Sequence, residues 1–152
     1  MKRIEVKLNL GAVAPLLDVM KVAADDLEPA LAIEASVPSQ DTEFAASWRA
    51  ELLDGQRSDL ALMLGMFDVD FFATGVLALD PTNAEPILRA CTAIRLRLRV
   101  VHLQGLDDEQ LETGSMTLES LSELQSRAFA AYAFLATLQE LIVQHLDPSS
   151  SD

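Results

Sequence analysis

The 152-residue sequence is poor in several things at once. It holds one cysteine, Cys91, so no disulfide can close within the chain. Its two histidines, His102 and His145, lie far apart and lack the closely spaced ligand pairs of a zinc site. Aromatic residues make up 5% of the chain, which argues against a base-stacking platform or an aromatic-lined sugar groove. Glycine and proline occur six times each, and no glycine-rich phosphate loop, HExxH helix or nucleophile elbow is found. Bases are scarce too: 11 Lys and Arg stand against 24 Asp and Glu, a net charge of −13. So acidic a surface repels phosphate backbones and anionic lipid, which argues against nucleic acid or a membrane as partner. No apolar run reaches the roughly 18–20 residues of a membrane span. The opening "MKRIEVKLNL" has basic residues without the apolar region of a signal peptide. The expectation is a soluble, cytoplasmic protein with no cofactor, no metal and no catalytic motif.

What is present points to helices. Half of the chain is hydrophobic, with Leu and Ala dominant, and the length suits one domain that can bury a real core. The pattern predicts a mainly α protein, a bundle of four to six helices with two short β-strands at about 2–10 and 75–79. The helical domain would run over 1–147, with "DPSSSD" making a disordered tail at 148–152. In residues 2–10, Ile4, Val6, Leu8 and Leu10 alternate with Arg3, Glu5, Lys7 and Asn9, a half-buried strand that Gly11 would break. A helix follows, with Pro15 near its start. A second helical pattern starts near Asp41 as N-cap. Its apolar stripe takes in Phe44, Trp48, Leu52, Leu62, Met63 and Met66, and Gly55 leaves open whether it is one helix or two. "FDVDFFATG" looks irregular, and "GVLALD" reads as a short apolar strand. Asn83 is placed to cap the next helix, with Pro86 in its first turn.

The stretch 94–103, "IRLRLRVVHL", alternates like a strand with a ladder of arginines. At 100° per residue from Asn83, however, Ile87, Cys91, Ile94 and Leu98 fall on one stripe, which continues the approach from 84 to 93. A helix over 83–103 is therefore predicted, with Arg95 and His102 near the centre of its apolar face. Segment 81–103 carries four arginines and one acid, whereas 104–126 carries six acids and no base, so docking within the chain accounts for a basic helix in an acidic protein. The run Asp107, Asp108, Glu109 and Glu112 lacks the order of an EF-hand loop and reads as a solvated helix start. Thr117 or Ser120 can cap a last helix reaching Leu146, Ser120 matching a capping box with Glu123, and that helix is apolar nearly all round from residue 128. "VKLNLGAVAPLL" and "VLALDPTNAEPIL" echo each other as strand, break, proline and paired aliphatics, which suggests a two-fold internal pseudo-repeat.

Four segments together resemble a known family: "IEVKLNLGAVAPLL", "DTEFAASWRAELL", "CTAIRLRLRVVHL" and "AYAFLATLQELIVQHL". They are similar to the strand-to-helix start, the acid-rich helix, the arginine helix and the closing helix of the bacterial domain-of-unknown-function family DUF2017. Arg95 takes the place of that family's helix arginine, while Ala93 stands where the family has an acid. The resemblance implies an α-helical domain without an assigned activity. In actinobacterial relatives the gene often lies beside that of the Clp protease adaptor, which implies a link to regulated proteolysis.

Two functions from different classes follow. The first is a non-enzymatic protein–protein interaction or accessory module, with a protein partner or a homodimer, using Phe134 and Leu141 of the last helix or Phe71 and Phe72. The second is a small-ligand or anion-sensing domain in which Arg95 and His102, two turns apart on one face, clamp the ligand. A structural ion pair at Arg95 and a core placement of the aromatics are the bland alternatives to each. Cys91, on the apolar stripe, reads as an inert core thiol.

Overall fold

A computed structural model of the chain describes residues 3–33, 42–113 and 121–146. The order is β1 (Ile4–Lys7), α1 (Leu10–Asp26), α2 (Thr42–Gly65), α3 (Val69–Thr74), β2 (Val76–Leu79), α4 (Ala84–Val101), α5 (Asp108–Thr113) and α6 (Glu123–Leu146). The mainly helical class and the two short strands agree with the sequence. Asp41, Ser120 and the tail at 148–152 lie outside the described residues.

The strands pair with each other, antiparallel, with Val6 opposite Leu77 and Ile4 opposite Leu79. Their inward residues, Ile4, Val6, Leu77 and Leu79, belong to or pack against the core, while Arg3, Glu5 and Lys7 face solvent. Period-two patterning thus sets the register, since a slip of one residue would turn the apolar set outwards. Gly75 ends α3 in the left-handed region at φ 74°, its N–H bonded to the Phe71 carbonyl at 2.6 Å and its carbonyl accepting from Leu8 N at 2.7 Å. A Cβ there would stand 2.9 Å from the Leu8 carbonyl oxygen. One residue thereby closes a helix and starts the sheet.

Local chemistry explains several departures from the sequence reading. The strand is ended by Asn9, whose side chain accepts from Ala12 N at 3.2 Å and caps α1, so Gly11 lies inside the first turn and Pro15 further in. Helix α2 runs unbroken through Gly55, where an added Cβ would meet nothing within 4 Å. "FDVDFFATG" is the short helix α3, capped by the Asp68 carboxylate on Phe71 N at 3.0 Å. Asn83 holds the N-cap position of α4 but its side chain turns back to β2, accepting from Asp80 N at 2.9 Å and donating to the Ala78 carbonyl at 3.2 Å. The observed capping box of α6 is Ser122 with Gln125, two residues on from the expected one, with reciprocal bonds of 3.1 Å.

Helix α4 lies at the centre, packed on α6, α2 and α1. It buries Ile87, Ala90, Cys91, Ile94 and Leu98, and α6 supplies Ala128, Ala131, Leu135, Leu138 and Ile142 to the same core. Alternation of small and large residues lets the two helices approach closely. Gln56 of α2 fastens the chain that leaves α1: its amide donates to the carbonyls of Leu27 and Ala30 and accepts from Ala32 N, at 2.8, 2.9 and 2.9 Å. Replacing Gly75 by Ala is expected to cost about 1–3 kcal/mol, from left-handed strain and the clash with Leu8. An unchanged midpoint in urea unfolding would show that the turn does not govern sheet closure.

Candidate functional site

The aromatics singled out from the sequence fall in different places. Phe71 is 1% exposed and makes an edge contact with Phe67 at 5.0 Å, so it is core and offers no contact surface. Phe134 and Leu141 are half-buried, Phe134 against Phe67 at 6.5 Å. Of these four, Phe72 alone is largely exposed. One face of α6, with Ala128, Ala131, Leu135, Leu138 and Ile142, is buried in the bundle, whereas Leu124 and Val143 are exposed.

Arg95 and His102 make different contacts. Arg95 reaches across to α6, donating from Nη1 to Gln139 Oε1 at 2.7 Å and lying 4.4 Å above the Tyr132 ring. Gln139 then donates to Thr92 Oγ1 at 2.8 Å and to the Leu88 carbonyl at 3.0 Å, joining α6 to two turns of α4. His102 is the C-cap of α4, its N–H bonded to the Leu98 carbonyl and its own carbonyl accepting from Gln125 Nε2. A small pocket of about 100 Å³ beside Arg95 is lined by Thr92, Leu96, Arg99 and Tyr132. The second cation there is Arg99, one turn along, and His102 is not among the residues that line this pocket.

Cys91 is buried, with its Sγ 3.8 Å from the Met63 sulfur. Burial pushes its thiol up to about 12, against a smaller lowering by the nearby Arg95 charge. Among the described residues no group of three or more His, Cys, Asp or Glu could hold a metal ion, and no helix is long and apolar enough to cross a membrane. A wider groove of about 510 Å³ lies over the solvent face of the sheet, between Glu5, Val76 and Ala78 and the α3 residues Asp70 and Thr74. The outer edge of β2 beside it is already capped, Val76 N by Thr74 Oγ1 and the Ala78 carbonyl by Asn83.

The feature that sequence reasoning missed is on α2. Phe44, Trp48, Leu52, Leu62, Met63 and Met66 read as one stripe, yet the structure divides them. Met63 is 1% exposed, together with buried Leu53 and Leu60, whereas Phe44 is 51% and Trp48 45% exposed. From Thr42 to Leu52 every residue but Ala45 is exposed, so about 16 Å of helix stands clear of the core. On it Phe44 and Trp48 stack on each other at 6.3 Å, and Leu52 follows one turn on, itself exposed. The signal was available: Leu53, Gln56, Leu60 and Met63 form a second set at helical spacing, and one α-helix cannot bury both sets against one neighbour.

A family model described as "Domain of unknown function (DUF2017)" matches residues 12–146. The chain belongs to this DUF2017 family. No curated protein and no solved structure matches the chain. The DUF2017 match covers α1 to α6 and so includes the α2 stripe and the Arg95 pocket.

Since the folded-state thiol is raised to about 12, Cys91 is expected to stay unalkylated by iodoacetamide at pH 8 in the native protein and to react in urea. Raising the pH through the unfolded thiol range near 9 towards 12 lets the unfolded chain lose this proton first, so the contribution of Cys91 to stability falls over that window. Rapid native labelling at pH 8 would contradict the burial of this site.

Proposed function

We propose that this DUF2017 protein is a non-catalytic protein–protein interaction module whose contact surface is the projecting half of α2. The observation that supports it is the exposed Phe44, Trp48 and Leu52 row. Single apolar residues on a surface are ordinary, but a contiguous row that holds the only tryptophan is costly in water and typical of binding sites. Covering the exposed half of each of these side chains yields about 1 kcal/mol. Gene neighbourhood in the family makes components of Clp proteolysis the partners to look for.

The test is capture from native lysate by the wild-type chain and by Trp48→Glu. The variant is expected to lose the partner while its stability moves by no more than about 0.5 kcal/mol, since the site is exposed. Equal capture by both proteins would refute the reading. Phe134 and Leu141 are poor sites for such a test, because their half-buried side chains couple binding to folding.

A second reading, an anion sensor, is favoured by the pocket that brings Arg99 and Thr92 beside Arg95. Its recognition would be two guanidinium groups on one small oxyanion. Phosphate would then raise the melting temperature of the wild type, and Arg99→Met would abolish the rise. Identical shifts in both proteins would refute it.

A further inference from the structure

We propose that the outer edge of β1 pairs with β1 of a second copy of this chain, antiparallel about a two-fold axis at Val6, so that the two sheets become one of four strands. This surface is separate from α2 and does not rest on the role proposed for that helix. Leu8 N donates to the carbonyl of Gly75 opposite it at 2.7 Å, and the ladder steps from there by two, so Ile4, Val6 and Leu8 are the residues that bond to β2. The N–H and C=O groups of Glu5 and Lys7 therefore point the other way, and among the described residues none of them has a partner. The far edge of the sheet is different: Val76 N meets Thr74 Oγ1 and the Ala78 carbonyl meets Asn83 Nδ2, each at 3.2 Å. The apolar layer beneath is open on the same side as the backbone. Leu77 and Leu79 are 2% and 1% exposed, whereas Ile4, Val6 and Leu8 are only half-buried.

A charged edge rejects most strands, and what this one accepts is fixed by its own charges. Glu5 and Lys7 must bond outwards to odd-numbered residues of an antiparallel mate, and three registers give both of them a mate within residues 3–9. One sets Glu5 opposite Glu5 and Arg3 opposite Lys7. Another sets Lys7 opposite Lys7. Both place like charges directly across the ladder, which is destabilising. The remaining register sets Glu5 opposite Lys7 twice, with Val6 on Val6 and Ile4 on Leu8 beneath, so the exposed apolar layer continues from copy to copy. Glu5 already holds Arg3 of its own strand at 3.5 Å, an exposed pair. Lys7 of the mate then arrives on the other side of that carboxylate and completes a row of base, acid and base. Lys7 itself has no ion pair among the described residues. Residues 2–7 hold three bases and one acid in a chain of net charge −13, so each copy brings a basic edge to an acidic mate.

The experiment measures the mass of the full chain by sedimentation over a wide range of concentration, with circular dichroism to check that each variant folds. The wild type is expected to reach the dimer. Glu5→Lys and Lys7→Glu each put like charges opposite one another twice and should weaken it by more than about tenfold. The variant carrying both changes restores unlike pairs and should dimerise again, and the two single variants mixed together should form a heterodimer. Val6→Cys provides a second readout. In this register the two Cα atoms at position 6 form a non-hydrogen-bonded pair about 4.5 Å apart, within reach of a disulfide, so the variant should cross-link to itself on mild oxidation. Cys91 is buried and does not compete. A wild type that stays monomeric throughout overturns the proposal. A dimer that survives both single changes, or that Trp48→Glu dissolves, uses another surface and overturns it as well. So does a dimer lost in the double variant as in the single ones, or one in which Val6→Cys fails to cross-link. Partner capture through Trp48 is a separate measurement, and its outcome does not bear on this dimer.

Discussion

Helix α4 must be buried against three neighbours while carrying four arginines, and the arrangement of the molecule follows from how that conflict is met. Ile87, Cys91, Ile94 and Leu98 are all but fully enclosed by α1, α2 and α6. Each arginine then leaves the enclosed face at a different angle. Arg89 forms a two-pronged pair with Asp59 of α2 at 2.8 and 3.1 Å, and Arg97 reaches Asp26 at the end of α1 at 3.3 Å. Arg95 meets Gln139 and Tyr132 of α6. A magnitude separates their roles. A buried aliphatic contributes about 1.5–3 kcal/mol, whereas an exposed ion pair contributes about 0–1 kcal/mol. Packing therefore holds α4 in place, and the arginines select the rotation and register of each neighbour.

The same geometry frees one end of α2. Helix α2 is 24 residues long, but α4 covers only its C-terminal half, where Leu53, Leu60 and Met63 are buried. The remaining turns continue as helix because the hydrogen-bonded backbone propagates from an anchored segment at little further cost. The result is a rigid, exposed row of aromatic and aliphatic side chains on an otherwise acidic surface. A rigid element lowers the entropy lost on binding, which is why such a row suits recognition better than the same residues on a loop.

Much of this was readable in the chain. Alternation in 4–7 and the apolar run 76–79 mark the strands, and the 3.6-residue period from Ile87 to Leu98 overrides the local alternation of "IRLRL". The candidate site was less readable. The row at Phe44, Trp48 and Leu52 and the set at Leu53, Leu60 and Met63 are equally good apolar faces by sequence, and only the direction of α4 decides which is covered. Arg95 was placed correctly on the inner side of its helix, but its partner Gln139 is 44 residues away and carries no charge to betray it. Likewise, Ser122 and Gln125 compete with Ser120 and Glu123 as capping boxes of the same type, and the end of the packed helix chooses between them.

By itself, then, the sequence determined the class of structure, the presence of the two strands and the acidic character of the chain, because these depend on local period and on summed charge. Tertiary structure decided which faces are core and which are offered to solvent. That choice is physical and collective: an apolar face is buried only if another element arrives to cover it. For the first turns of α2, none of the described helices does.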